Sequence, residues 1–353
     1  MEISIKTILE LGLTSHASDI HVIPGMPPLL RIDGELIQSK NFPVLTDQQT
    51  QEILLSTMNQ DQKNEFEHDL VIDMGLYYPD LGNFRLNVFH QINGIAGIIR
   101  IVPAVVPTFD QLQLPPSLKK LLMLPYGLVL VTGPTGSGKS TTLASMIDYI
   151  NTNRGGHVIT IEDPIEYIHK NKRASITQLE VGRDAKSFSA ALRSSLRQDP
   201  NVIMLGEMRD LETIRLALMA AETGHLVLST LHASSAAVTI NRIIDIFPRS
   251  ERDRIRNMLS ECIQGIICQI LVKSAKVGRV AAFEVMFATP AIRHLIAQGR
   301  SSHIESTIQT SGDLGMFTLE TYMKTLVSKG EVSQTLARAV LGNRDSMKFS
   351  DKK

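Results

Sequence analysis

The run Gly133-Pro134-Thr135-Gly136-Ser137-Gly138-Lys139-Ser140 decides the fold class of this chain. It fits the phosphate-loop pattern GxxxxGK[ST]. It follows the apolar, strand-like run Gly127-Leu128-Val129-Leu130-Val131-Thr132 and precedes a helical stretch from Thr141 to Ile150. A strand, a glycine-rich loop and a helix in that order are the context in which the pattern carries meaning. The glycines let successive backbone N–H groups turn toward one anion. The helix that follows adds its positive N-terminus. Lys139 is then placed to reach β- and γ-phosphates and Ser140 to hold Mg²⁺. A glycine-rich strand-to-helix turn without a ligand would use the same residue types, and it is the agreement of motif with context that favours the phosphate reading.

Outward from the loop, strand and helix alternate. Strands are expected at 127–132, 157–162, 201–206 and 225–230, and helices at 138–150, 187–196, 211–222 and 235–246. Apolar strands alternating with helices predict a parallel sheet covered on both faces. Beyond residue 252 the chain reads as mostly helical, with a ribbon-like stretch at 279–287 and frayed residues at 346–353. Upstream, residues 1–102 predict an antiparallel α+β module. It has a helix at 5–13, strands at 19–23 and 29–33 around the turn Pro24-Gly25-Met26-Pro27-Pro28, and a helix at 46–58. That last helix is capped by Thr46 with Gln49 at the capping-box position. Strands are expected again at 70–76, 83–90 and 95–102. Pro103, Pro107, Pro115 and Pro116 punctuate a stiff linker. The expected division is 1–102, linker 103–116, 117–288 and a helical segment 289–353.

A chain of 353 residues is long for one core, and two domains are the natural expectation. Acidic and basic residues balance at 36 each, so no global field draws the protein to nucleic acid or to an acidic membrane. Absence of Trp leaves no stacking groove for a single strand. Cys262 and Cys268 lie in an apolar stretch expected to be helical. With no ligands at metal spacing they read as buried free thiols, which suits a reducing compartment. The N-terminus lacks the pattern of a signal peptide, and no uncharged apolar run reaches about 18 residues, so a cytoplasmic protein without a spanning helix is expected.

Three further segments carry chemistry. Ile159-Thr160-Ile161-Glu162-Asp163-Pro164-Ile165-Glu166 ends a β-branched strand in carboxylates, where ligands of open α/β sheets sit. Glu166 is the candidate to activate the attacking water. Val202-Ile203-Met204-Leu205-Gly206-Glu207 is a second apolar strand ending in an acid, which can hold Mg²⁺ directly or through water. His225 and His232 flank a third strand. Seven residues apart, they fall on opposite faces and cannot clamp one metal. His232 is the candidate γ-phosphate sensor and His225 its support. Arginines stabilise charge on transferring phosphoryl oxygens. Arg85 and Arg100 in the first module are the candidates, with Arg193, Arg197 and Arg209 in the second.

Together these runs resemble the secretion-type ATPase superfamily, and more narrowly the PilT-type retraction ATPases of type IV pili. The loop with Thr141 is similar to the family's first motif. The segment 160–166 resembles its Asp box. Gly206-Glu207-Met208-Arg209-Asp210-Leu211-Glu212-Thr213 resembles its Walker B region, and 221–232 its His box. Ala17-Ser18-Asp19-Ile20-His21, Arg31-Ile32-Asp33-Gly34 and Phe84-Arg85-Leu86-Asn87-Val88-Phe89 are similar to its PAS-like N-terminal domain. Ala291-Ile292-Arg293-His294-Leu295-Ile296 is similar to the retraction signature AIRNLIRE, with His294 in place of Asn and Ala297-Gln298 in place of Arg-Glu.

The resemblance implies an α/β protein: a PAS-like α+β N-terminal domain, a RecA-like phosphate-loop ATPase domain and a helical C-terminal extension. It implies a homohexameric ring, peripheral to the inner membrane on its cytoplasmic side, that acts on a membrane platform protein of the pilus and withdraws pilin. ATP and Mg²⁺ are the implied ligands. Gly133, Pro134, Thr135, Gly136, Ser137, Gly138, Lys139, Ser140 and Thr141 would bind phosphates, and Ser140 and Glu207 would hold Mg²⁺. Glu166 would be the general base and His232 the sensor, with Arg85 and Arg100 as the fingers. An accessory retraction motor, or an assembly or secretion motor of the same superfamily, remains the nearest alternative. The compact length and the lack of a four-cysteine cluster argue against an assembly motor. A slow nucleotide-gated scaffold is the alternative from another class.

Overall fold

The computed structural model describes residues 3–32, 34–40, 42–102, 105–276 and 278–348, with backbone alone for 343–348. Within them the chain divides into two compact units, residues 1–105 with 163–168 and residues 106–162 with 169–353.

The smaller unit runs α1 (Ile5–Thr14), β1 (Asp19–Val22), β2 (Leu29–Ile32), β3 (Glu35–Gln38), α2 (Asp47–Leu55), α3 (Gln60–Asp69), β4 (Val71–Tyr78), β5 (Gly82–Gln91) and β6 (Gly94–Ile101). Its six strands form one antiparallel sheet in the order β3-β2-β1-β6-β5-β4. Alternation sorts the two faces. Ile20, Val22, Leu86, Val88 and Ile99 point to a core closed by Ile8 and Leu9 of α1 and Ile53 and Leu54 of α2. Thr46 and Gln49 form the expected capping box, with Gln49 Oε1 accepting from the Thr46 N–H at 2.9 Å. The sequence reading passed over α3, because only Phe66 of its ten residues is buried and no apolar period marks it.

The larger unit begins with the short α4 (Lys119–Leu122). It continues through β7 (Gly127–Thr132), α5 (Lys139–Asn153), β8 (Gly156–Glu162), β9 (Ala174–Glu180), α6 (Phe188–Ser195), β10 (Val202–Leu205), α7 (Leu211–Glu222), β11 (Leu226–Leu231) and α8 (Ala236–Asp245). After these come α9 (Arg252–Cys262), β12 (Ile263–Lys273), β13 (Arg279–Phe287), α10 (Pro290–Ala297), α11 (Ile304–Gln309), α12 (Leu319–Ser328) and α13 (Gln334–Lys348). Seven strands stand in the order β13-β12-β7-β11-β10-β8-β9, all neighbours parallel except β12 and β13. Both faces are covered, which is why the central strands are unbroken apolar runs. Leu128 and Leu130 of β7 pack toward Ile214, Leu218, Ile240 and Leu259 of α7–α9. Val129 and Val131, one step out of phase, pack toward Leu143, Met146 and Ile147 of α5.

Several expectations are corrected here. The stretch around Cys262 and Cys268 is not one helix. Cys262 ends α9, and Cys268 lies within β12, an eleven-residue strand. Its sequence is apolar on both faces and gives no period to read. Both thiols are free and buried, and burial pushes Cys262 up to about 12. Strand β9 also went unanticipated. Within the stretch 106–116, expected as linker, Phe109 and Leu114 are each 5% exposed and lie in the α5-side core, the Phe109 ring 5.4 Å from that of Tyr149. Pro103 and residues 349–353, named above as linker and frayed end, lie outside the described residues, while 346–348 continue α13. Among the described residues no helix is long and apolar enough to cross a membrane.

Candidate functional site

The phosphate loop joins β7 to α5 at the carboxyl edge of the sheet. Gly133 has no room for a side chain, since a Cβ there would come within 2.1 Å of the Gln269 carbonyl oxygen. Gly138 caps α5 in the left-handed region, φ 85°, where an L side chain is strained. No side chain caps α5, and a helix N-terminus favours an anion. Lys139 is buried at 9% exposure, and its Nζ donates to the carbonyls of Gly133 and Pro134 at 3.0 Å each. The ammonium is thereby held over the loop. Ser140, next along α5, is exposed.

Glu207 and His232 come together. Glu207 follows β10 and His232 follows β11, neighbouring parallel strands whose carboxyl ends meet. His232 Nε2 lies 3.2 Å from Glu207 Oε1, and Arg209 Nε donates to Glu207 Oε2 at 2.9 Å. The Arg242 guanidinium donates to the His232 carbonyl. These side chains line a cavity of about 910 Å³. Arg209, a candidate finger, is instead the partner of Glu207. His225 is a correction. It sits before β11, at the far end of the strand from His232, with Nδ1 3.0 Å from the Ala220 carbonyl, so it anchors the end of α7 rather than the site. Arg193 pairs with Glu212 between α6 and α7.

In the smaller unit Arg85 donates to Asp73 through both Nε (3.0 Å) and Nη2 (2.7 Å). That hydrogen bonding keeps the guanidinium protonated against the effect of burial, and the charges of Asp73, Glu166 and Asp163 reinforce it. Glu166 thus stands in the electrostatic neighbourhood of Arg85. Arg100 Nε donates to Asp19 Oδ1 at 3.0 Å. Burial alone would raise the Asp19 carboxyl, but hydrogen bonds from Ser18 and Arg100, with the charges of Arg100 and Arg31, hold it below the usual range.

Two polar residues at the site, Gln178 and Gln269, were not anticipated. Thr160 and Gln178 both donate to Glu162 Oε1, at 2.8 and 3.2 Å, and hold that buried carboxylate at the end of β8. Gln269 of β12, 4% exposed, donates to the Ser137 carbonyl and accepts from Thr142. The available signal was one polar residue inside a buried apolar run.

A parallel sheet with a phosphate loop on its first strand, and an acid–histidine pair on strands beside it, defines a nucleotide-binding protein of the phosphate-loop class. The chain belongs to the Type II/IV secretion system protein family, whose model matches residues 1–335. It is 48% identical to the type IV pilus retraction ATPase PilT of Pseudomonas aeruginosa, over 95% of this chain and 97% of that one. It is 41% identical to a twitching motility protein of Neisseria gonorrhoeae, over 98% and 92%. The structure is similar to a crystal structure of the pilus retraction motor PilT with bound ADP. The TM-score is 0.89 at 45% identity, covering 95% of this chain and 96% of that chain. The α+β N-terminal unit and the RecA-like unit with its helical extension accord with that likeness.

Proposed function

We propose that this protein hydrolyses ATP and that the cycle drives retraction of type IV pili, and with it twitching motility. The observation that carries the reading is the loop itself. A glycine-built turn opens onto an uncapped helix N-terminus, with Lys139 folded over it and the Glu207–His232 pair at the same carboxyl edge of the sheet. The names of the relatives supply the mechanical output.

In this reading the amides of 133–141 and Lys139 hold the phosphates. Ser140 and Glu207 hold Mg²⁺. The donor set fits that ion, since Mg²⁺ in nucleotide sites takes one or two protein oxygens and shares phosphate oxygens. Glu207, whose two carboxylate oxygens face Arg209 and His232, would hold the ion directly or through water. Bound there, Mg²⁺ neutralises phosphate charge. The Ser137 hydroxyl, buried beside Gly133 without a hydrogen-bond partner among the described residues, offers a donor to a phosphate oxygen. Glu166 accepts the proton of the water that attacks the γ-phosphorus. The bond to the β-phosphate oxygen breaks, and ADP and phosphate leave. Arg85 and Arg100 stabilise the charge on the equatorial oxygens, and His232 registers whether the γ-phosphate is present. The 1–102 and 117–288 domains would move about the Pro-punctuated segment as that charge is lost. Six copies in a ring, acting on an inner-membrane platform protein from the cytoplasmic side, would convert the motion into withdrawal of pilin.

Phosphate release by the purified chain with Mg²⁺ and ATP tests the enzyme, with Lys139→Ala and Glu207→Ala as controls. Equal, negligible rates in all three would leave only a scaffold. Deleting the gene tests the direction: hyperpiliated, non-motile cells support retraction, whereas bald cells point to assembly.

A further inference from the structure

Gln269 touches the phosphate loop at both ends, although it belongs to another strand. Its main-chain oxygen fills the space where a side chain on Gly133 would lie. Its Nε2 donates to the Ser137 carbonyl at 2.7 Å, and its Oε1 accepts the Thr142 hydroxyl proton at 2.7 Å, one turn into α5. The orientation of the amide follows from these partners. The Ser137 carbonyl can only accept, so the NH₂ end faces it and the oxygen is left for Thr142.

A trans peptide is planar, and its C=O and N–H point in opposite directions. The Ser137 carbonyl and the Gly138 N–H belong to one peptide. Drawing the carbonyl toward β12 therefore turns the Gly138 N–H away from β12, and no acceptor among the described residues takes that N–H. Without the anchor the same peptide can rotate, because Gly138 tolerates almost any φ and ψ. A carbonyl would then face the anion where an amide should, replacing attraction by repulsion. We propose that Gln269 is a positioning residue for nucleotide phosphates: it fixes the Ser137–Gly138 peptide so that the loop presents donors only, and it ties the loop to the first turn of α5. The inference rests on the nucleotide reading of the loop. It also makes the β12–β13 ribbon part of the phosphate site, since Gln269 pairs across the ribbon with Phe283.

The role needs one donor and one acceptor on a neutral side chain of this length. Gln269→Glu keeps the size but sets a carboxylate oxygen against the Ser137 carbonyl. On protonation the acid regains an O–H that can donate there. Burial against a carbonyl favours that protonated form.

Calorimetric titration of the full chain with Mg²⁺–ADP, inorganic tripolyphosphate and adenosine tests the assignment. Gln269→Ala is expected to weaken ADP and tripolyphosphate by about ten-fold or more, the scale set by a lost charge-facing hydrogen bond. It should leave adenosine affinity near wild type. Thr142→Val, which removes only the Oε1 anchor, should lose less. For Gln269→Glu, the gap from wild type should narrow as pH falls from 8 to about 5.5. ADP and tripolyphosphate binding within two-fold of wild type in Gln269→Ala would overturn the proposal, as would an equal loss of adenosine. If Gln269→Ala does not fold, a pH-independent deficit in Gln269→Glu would overturn it in the same way. Failure of the wild-type chain to bind ADP would instead remove the nucleotide reading on which the proposal stands.

Discussion

Arg85 of β5 and Arg100 of β6 stand directly opposite each other in the antiparallel ladder, two guanidinium groups on one face of the sheet. Like charges so placed repel. The arrangement holds because carboxylates flank the pair on both sides, Asp73 on Arg85 and Asp19 on Arg100, with Arg31 beyond Asp19 on β2. Asp73→Asn leaves Arg85 facing Arg100 with less compensation. The expected cost is about 0.5–1 kcal/mol of unfolding free energy, because the groups are substantially exposed. Added salt should shrink the difference. Denaturant melts at low and high ionic strength measure it, and a salt-independent deficit would contradict the electrostatic account.

The same two arginines are predicted to act on the transition state. Arg85→Ala and Arg100→Ala should each reduce the ATP turnover of the assembled protein by about 10³-fold, the scale of an arginine finger. ADP affinity of the isolated chain should hardly change. A turnover within ten-fold of wild type in both variants would place the fingers elsewhere.

Glu207 and His232 are within contact distance, so their contributions to turnover should not add. Glu207→Gln and His232→Ala are each expected to lower kcat by about two orders of magnitude, and the double variant by much less than the product. Steady-state phosphate release on all four proteins closes the cycle. Multiplicative losses would mean that the two side chains work independently.

His169 should set an acid limit on stability. Burial, aided by the charge of Lys172 and only partly offset by Asp148, lowers its pKa from 6.5 to about 4. Its Nδ1 has no hydrogen-bond partner among the described residues. The native state therefore excludes a proton that the unfolded chain accepts. Stability is complete above about pH 6.5 and falls between 6.5 and 4, by up to about 3 kcal/mol. His169→Phe should flatten the melting temperature across that window. An unchanged pH profile would assign the acid sensitivity to carboxylates.

Arg293 lies in the segment similar to the retraction signature, and its contacts are structural. Its guanidinium donates to the Ser260 and Glu261 carbonyls at 2.6 and 2.7 Å and to Gln264 Oε1 at 2.9 Å, closing the C-terminus of α9. Arg293→Ala should cost about 1–2 kcal/mol, and Arg293→Lys should recover only part, since an ammonium donates from one nitrogen and cannot span the acceptors that the two Nη atoms of the planar guanidinium reach. Thermal unfolding of the three proteins decides it.

Much of the larger unit was legible because its signals are local. Helix α7 lies where it was expected, at 211–222, with Asp210 capping it, and β7 follows from the apolar run Leu128–Val131 before a glycine turn. In the smaller unit the alternating strands showed their paired faces, and the Thr46–Gln49 box showed where α2 begins. Helix α3 and strand β9 were missed for the opposite reason. They are polar or half-buried elements, held by neighbours rather than by a pattern of their own.

The residues of the phosphate loop and the strand before it were determined by the sequence alone, since a glycine turn, a lysine and a helix start interact within a few positions of one another. What restrains those groups was decided by the tertiary structure. Gln269 reaches Ser137 across 132 positions, and Asp19 reaches Arg100 across 81. A hydrogen bond between such distant residues leaves no periodic trace in the chain, because it forms only after strand order has brought β12 beside β7 and β1 beside β6.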